Sequence, residues 1–278
     1  MIQPINAMTV DVEDYFQVQA FADHISHYEW DWLPWRVERN TDRILALFAA
    51  AGVRATFFTL GWVAERHPAL IRRIVDAGHE LASHGYAHHR VDRLGPDGFR
   101  ADIRRTRALL EDIGGVPVRG YRAPTFSIAP DMDWAFTTLA EEGYTYSSSV
   151  FPIHHDLYGS PGAPRFPFRP GDGRVIECPV TTVRVLGRNL PCGGGGYFRL
   201  LPYQVSRWGM RRVNGREARP CVFYVHPWEI DPGQPRLSGL PLAARARHFV
   251  NLHRVEDRLR RLLKDFSWDR LDRVLFNV

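Results

Sequence analysis

The feature that most constrains this chain is a repeated switch of hydrophobic period, in which short apolar, β-branched runs alternate with segments patterned as amphipathic helices. NAMTVDVE precedes a helical pattern over 41–51, VRATFFTL precedes one over 61–77, and HELASHG precedes a charged one over 98–113 that closes at Gly114 and Gly115. VRGYRAP, a helical pattern over 132–142 and the run YTYSSSV continue the series. Strands separated by helices pair in parallel, each helix crossing back over the sheet. The pattern predicts an α/β fold, a barrel or open sheet whose site lies at the C-terminal ends of its strands.

Between 151 and 220 the rhythm gives way to proline- and glycine-rich sequence, including PCGGGGYFRLLPY, which reads as an elaborated loop region over the site with a few short strands. A last apolar strand, CVFYV, runs into His226, and an amphipathic helix over 243–266 follows, with Phe249, Leu252, Val255, Leu259 and Leu262 on one face. There is no internal repeat and no linker. A single domain over 1–278 is expected: core βα repeats over 1–150, the loop-rich elaboration over 151–220, and the last barrel strand with a helical extension over 221–278. Barrels of 278 residues are ordinary as one unit.

Hydrophobic residues at 45% and charged residues at 24% are those of a folded globular protein. The net charge of +5 comes from arginines scattered among acids rather than massed in a tract, which argues against nucleic acid as a partner. The three cysteines, Cys178, Cys192 and Cys221, have neither metal-site spacing nor an even count, so buried thiols are expected. The start, MIQPINAMTVDVEDYF, reaches acidic residues at once, and no apolar run is long enough to span a bilayer. A cytoplasmic enzyme is the expectation.

Four strand ends carry residues with chemistry. Asp11, Glu13 and Asp14 close the first strand; carboxylates so placed are costly unless they meet cations or solvent, and a solvated turn or helix cap is the plain alternative to a site. His84 and His88 in ASHGYAHH stand four apart, a spacing that brings both imidazoles to one ion in helical or tightly turned backbone, with His89 as a spare. Two neutral imidazoles and one carboxylate leave open positions, the pattern of a catalytic rather than a structural zinc site. Arg122, followed by Pro124, either pairs with a surface acid or fixes a carboxylate base such as Asp11 in orientation. His226, with Pro227 and Trp228 behind it, is either structural or a proton donor at the rim.

In this order the four segments resemble the polysaccharide deacetylases, the NodB-homology family also called carbohydrate esterase family four, whose fold is a deformed (β/α) barrel. The resemblance implies Asp11 as catalytic base, His84 and His88 as metal ligands, Arg122 as the residue that holds the base and His226 as general acid. It also implies a divalent metal, zinc being expected. The family's first motif has two adjacent aspartates. Here Val12 follows Asp11, so the metal carboxylate is Glu13 or Asp14, and the choice stays open. Ser147 stands where relatives often carry an aspartate. TVDVEDYFQV, GGGGYFRLLPY and FYVHPWEIDP are similar to the subgroup associated with exopolysaccharide and exosortase (PEP-CTERM) gene clusters.

The expected reaction is hydrolysis of N-acetyl groups on an amino-sugar polysaccharide or oligosaccharide. The ion would polarise the carbonyl, Asp11 would accept a proton from the attacking water, a backbone amide within GYRAPTF would help bind the oxyanion, and His226 would protonate the leaving amine. Tyr15, Phe16, Pro124, Trp228 and the glycine run 193–196 are the candidate sugar-contacting surface. The alternatives are hydrolysis of a small cyclic amide or ureide and a carbohydrate-binding barrel without turnover. The expected cytoplasmic place extends to the inner membrane face, and the choice between a lipid-linked precursor there and finished polymer stays open.

Overall fold

The computed structural model describes residues 4–155, 158–236 and 241–276; the first three residues of the N-terminal run and residues 156–157 of the loop-rich region lie outside them. In chain order the elements are β1 (Asn6–Val12), α1 (Val37–Ala51), β2 (Thr56–Thr59), α2 (Gly61–Arg66), α3 (Pro68–Asp76), β3 (Glu80–Ser83), α4 (Val91–Gly114), β4 (Gly120–Tyr121), α5 (Asp133–Glu141) and β5 (Tyr146–Ser147). There follow β6 (Ile176–Glu177), the hairpin of β7 (Thr182–Val185) and β8 (Arg188–Pro191), α6 (Gly195–Leu200), α7 (Tyr203–Arg216), β9 (Val222–Val225), α8 (Leu242–Phe249), α9 (Leu252–Asp265), β10 (Trp268–Asp269) and α10 (Leu271–Phe276).

Strands β1 to β6 pair in sequence order and in parallel, and β9 and β10 return to pair with β1, also in parallel. The sheet curls toward closure where the Thr181 N–H, just past β6, donates to the Val222 carbonyl of β9. This is a deformed (β/α) barrel, the closed one of the two forms that the alternating pattern allows and the fold that the family resemblance implies. Every residue of β1 is buried, as befits a strand with neighbours on both edges and cover on both faces. The main core unites residues of both halves of the chain, from Val10 and Phe57 to Phe223 and Leu259.

Several element boundaries differ from the sequence expectation, each for a local reason. The helix expected over 61–77 is two helices that meet at His67, because Pro68 lacks an N–H and starts α3 at its first position. The helix expected over 243–266 breaks at Asn251, whose φ of 52° is left-handed. Helix α4 begins at Val91, before a kink at Gly95 and Pro96 that hides its first turn from a periodicity reading. The 14-residue α7 lies inside the region expected to be loops. Its glycines and arginines mask the pattern, yet Gly209 lets it sit close on the hairpin: a Cβ there would lie 2.7 Å from Cys192 Cβ.

Glu177, at the end of β6, accepts N–H bonds from Ser149 and Val150 at 2.9 Å each and so ties β5 to β6 beneath the rim. Burial pushes its carboxyl up to about 7 from an ordinary value of 4.5. The folded chain therefore holds a proton that the unfolded chain has lost between these values, and stability falls as pH rises through that window. Urea melts of Glu177→Gln are expected to show the variant gaining on the native protein from pH 4.5 to 7. A stability difference independent of pH would contradict that account.

Candidate active site

The site assembles at the C-terminal ends of four strands. Along β1, Thr9 and Asp11 point to the same side, as alternate residues of a strand must. Both meet Arg122, which follows β4: its Nη1 donates to Thr9 Oγ1 at 2.8 Å and to Asp11 Oδ1 at 2.7 Å. Nε and Nη2 donate to the carbonyl and hydroxyl of Ser148 at 3.0 and 2.9 Å, and the guanidinium lies 4.2 Å over the Phe58 ring. Arg122 is fully buried and Asp11 is 2% exposed, so the pair is a locked, charge-assisted contact rather than a surface ion pair.

Next to it, Glu13, His84 and His88 offer ligand atoms that all lie within 4.8 Å of one another. His84 Nδ1 is 2.8 Å from the Arg122 carbonyl; a carbonyl only accepts, so Nδ1 carries the proton and Nε2 keeps its lone pair. Burial pushes the His84 imidazole down to about 4, leaving it neutral as a ligand should be. His88 Nε2 lies 2.9 Å from Glu13 Oε2, yet that oxygen is buried and makes no aligned hydrogen bond. Burial opposes ionisation of Glu13, but His88 and His226 outweigh it and hold the carboxyl well below the usual range. Two imidazoles facing an ionised carboxylate with one oxygen left without a hydrogen bond fit a divalent cation.

The histidine spacing works here without a helix. The chain between β3 and α4 is a turn with left-handed residues at Gly85 (φ 72°) and His88 (φ 55°), and a Cβ at Gly85 would approach Asp102 Oδ2 to 2.9 Å. His89, the spare, is exposed.

Of the two carboxylates left open by the sequence, Glu13 joins the cluster and Asp14 does not. Asp14 Oδ2 accepts the N–H groups of Arg36 and Val37 at 2.6 and 2.9 Å, and Oδ1 that of Tyr15 at 2.8 Å, so it sits at the head of α1, where the helix dipole favours a carboxylate. Tyr15 and Phe16 pack edge to face in the core and do not reach the cleft. Pro124 is buried, while its neighbours Ala123 and Thr125 line the cleft. In the glycine run, residues 193–195 serve packing: a Cβ on Gly194 would lie 2.0 Å from the Tyr224 carbonyl, and only Gly196 faces the cleft.

His226 ends β9 on the far side of the cluster, with Nε2 3.6 Å from Glu13 Oε1 and 3.8 Å from Asp11 Oδ2. Burial alone would lower its pKa, but Glu13 and Glu229 raise it to about 9. Trp228 stacks on its ring at 5.2 Å and donates from Nε1 to Glu13 Oε1 at 3.1 Å. Behind it lie two residues that the sequence reading did not single out. Glu229 Oε1 meets His226 Nδ1, and Arg199 Nη1 stands 3.2 Å from the same oxygen. Glu229 was in plain view three residues after His226; Arg199 carries no sequence signal. The whole arrangement opens into a cleft of about 750 Å³ whose walls include Phe126, Tyr158, Tyr197, Tyr224, Trp228 and His248.

A barrel with its reactive side chains gathered at the strand ends defines the class, the NodB-homology type of α/β fold, and comparison with known proteins narrows it. Residues 25–146 match the polysaccharide deacetylase family, and residues 148–276 match a domain of unknown function, DUF3473. The chain is 32% identical over 96 residues to a peptidoglycan-N-acetylglucosamine deacetylase of Bacillus cereus, covering 34% of this chain and 35% of that protein. It is 31% identical over 145 residues to a chitooligosaccharide deacetylase of Sinorhizobium fredii, covering 52% of this chain and 61% of that one. The matches thus span between about a third and three-fifths of these two relatives. Among solved structures, one from Mycobacterium smegmatis shares 25% identity at a TM-score of 0.56, over 95% of this chain and 90% of the other. A carbohydrate esterase family 4 pseudoenzyme of Bacillus anthracis, at 14% identity and a TM-score of 0.53 over 98% of this chain and 66% of its own, shares the fold. Among the described residues no helix is long and apolar enough to cross a membrane.

Proposed function

We propose that the protein is a metal-dependent hydrolase that removes N-acetyl groups from an amino-sugar polysaccharide or oligosaccharide, with exopolysaccharide biosynthesis as its setting. The observation that carries this reading is the convergence at one rim of three elements: the donor set Glu13, His84 and His88, a carboxylate locked by a buried arginine, and a histidine on the opposite side. The similarity to peptidoglycan and chitooligosaccharide deacetylases supports the choice of substrate class. The same core running through both matched segments supports reading 1–278 as one domain.

Glu13, His84 and His88 would hold the ion, zinc by their nitrogen and carboxylate character, and bound there it would supply Lewis-acid activation of the amide carbonyl and of water. Asp11, with Oδ1 held by Arg122, keeps Oδ2 free of that contact, 3.8 Å from His226 Nε2, and takes the proton of the attacking water. His226 faces it across the rim and delivers a proton to the departing sugar nitrogen, so base and acid act from opposite sides of the scissile bond. Tyr197 offers the sugar ring an aromatic wall, while Trp228, which is buried and stacked against both His226 and His248, backs the site from within rather than presenting a sugar platform.

Acetate release from N-acetylglucosamine oligosaccharides, measured on chelated and zinc-restored protein, tests this. Release abolished by chelation and returned by zinc is the expected result. Stoichiometric zinc binding with no release from any of a panel of acetylated sugars would overturn the deacetylase reading.

A further inference from the structure

The segment that matches a domain of unknown function begins after the histidine pair and the arginine, yet it carries His226, Glu229 and Arg199. These three form one chain of contacts running from the cleft into the core. Glu229 is fully buried and Arg199 is 4% exposed. Glu229 Oε1 contacts His226 Nδ1 and lies 3.2 Å from Arg199 Nη1, while Arg199 also lies over the Trp228 ring at 4.6 Å. Burying a carboxylate fully is costly unless it is paired and bonded. Its position is fixed from several sides: the 3₁₀ turn Pro227–Ile230 that follows β9 sets its backbone, and the stacked ring of Trp228 sets the plane of the imidazole it serves.

We infer that Glu229, backed by Arg199, is the positioning residue for His226, and that the segment of unknown function thereby supplies the proton-delivering half of the site. The inference rests on the deacetylase reading for its kinetic consequence but not for its geometry. A carboxylate at Nδ1 holds the Nδ1–H tautomer, so Nε2 is the nitrogen that gains and gives the proton. Transfer from Nε2 to the leaving nitrogen leaves neutral imidazole with its proton still on Nδ1, and Glu229 remains a carboxylate throughout. The position left as Ser147 needs no carboxylate for this purpose: its hydroxyl bonds Ser149 Oγ at 2.7 Å, whereas the partner of His226 sits three residues along its own turn.

The test compares Glu229→Gln, Glu229→Asp and Arg199→Met with the native zinc-restored protein, thermal melts serving as the folding control. In the first arm, Glu229→Gln is expected to lower kcat for acetate release by roughly 100-fold with KM within about threefold, and Glu229→Asp to recover part of it. In the second, long-range ¹H–¹⁵N spectra of the imidazoles, recorded at a pH alkaline enough for the His226 ring to be neutral, report its tautomer without reference to turnover. The native protein and Glu229→Asp should show protonated Nδ1, and Glu229→Gln a shift toward the Nε2–H form. An unchanged tautomer in Glu229→Gln, or an unchanged kcat in an active protein, overturns the inference. A native protein that releases no acetate defeats the deacetylase reading instead, and the spectra alone then decide the positioning role. Arg199→Met, which keeps the carboxylate at Nδ1, should keep the Nδ1–H form; if Glu229→Gln does not fold, a native His226 whose neutral ring carries its proton on Nε2 overturns the inference.

Discussion

Asn in place of Asp11 is expected to lower kcat for acetate release by roughly three orders of magnitude while leaving KM and zinc content near those of the native protein. The substitution keeps the shape of the side chain and leaves an oxygen for Arg122 Nη1 to bond, so the rim should hold its geometry. What disappears is the proton acceptor. Because Asp11 is outside the ligand set, loss of activity should separate from loss of metal, and steady-state kinetics with metal analysis on the same samples would show it. His84→Ala provides the contrast: it should lose metal and activity together. A drop of less than tenfold in Asp11→Asn would mean that another group takes the proton.

The second large effect is structural. Arg122→Met should destabilise the fold by about 3–5 kcal/mol, the cost of leaving a buried charge without its partner. The variant strands Asp11 in a site that is 2% exposed and withdraws donors from Thr9 and Ser148 as well. Melting should fall by on the order of 10 °C, with activity lost even at temperatures where the variant is folded. Arg122→Lys should recover only part of either quantity, because one ammonium cannot reproduce a planar fork that reaches β1 and the Ser148 segment at once. Calorimetry on the three proteins would check the order; equal melting temperatures for native and Met variants would show that the ion pair contributes nothing net.

Much of this was legible in the sequence because the strands end where the chemistry begins. Asp11, His84, Arg122 and His226 each follow an apolar run, and a parallel barrel brings such ends to one face whatever the intervening sequence. The choice between Glu13 and Asp14 was a matter of parity: residues two apart share a side at a strand end, and Asp14, one step out of phase, was free to meet α1 instead. Tyr15 and Phe16 read as sugar platforms only because an aromatic side chain looks the same in a core as in a cleft. Arg199 was invisible for a different reason. Its role depends on where α6 lands against the turn after β9, a long-range placement that no local pattern encodes. The helix breaks at His67 and Asn251 were obscured because hydrophobic periodicity runs through a break without changing phase enough to announce it.

The pairing of β1 with β2 on one edge and β9 on the other has a consequence for biogenesis. The strand synthesised first must wait for one synthesised some two hundred residues later before its second edge is covered. Until then a nascent chain carries an uncovered, apolar parallel edge of the kind that recruits other chains. Its reactive rim is likewise incomplete, since the histidine that faces Asp11 has not yet been made. Catalytic competence and protection from aggregation should therefore arrive in the same late step, as β9 docks, rather than growing gradually as the chain lengthens.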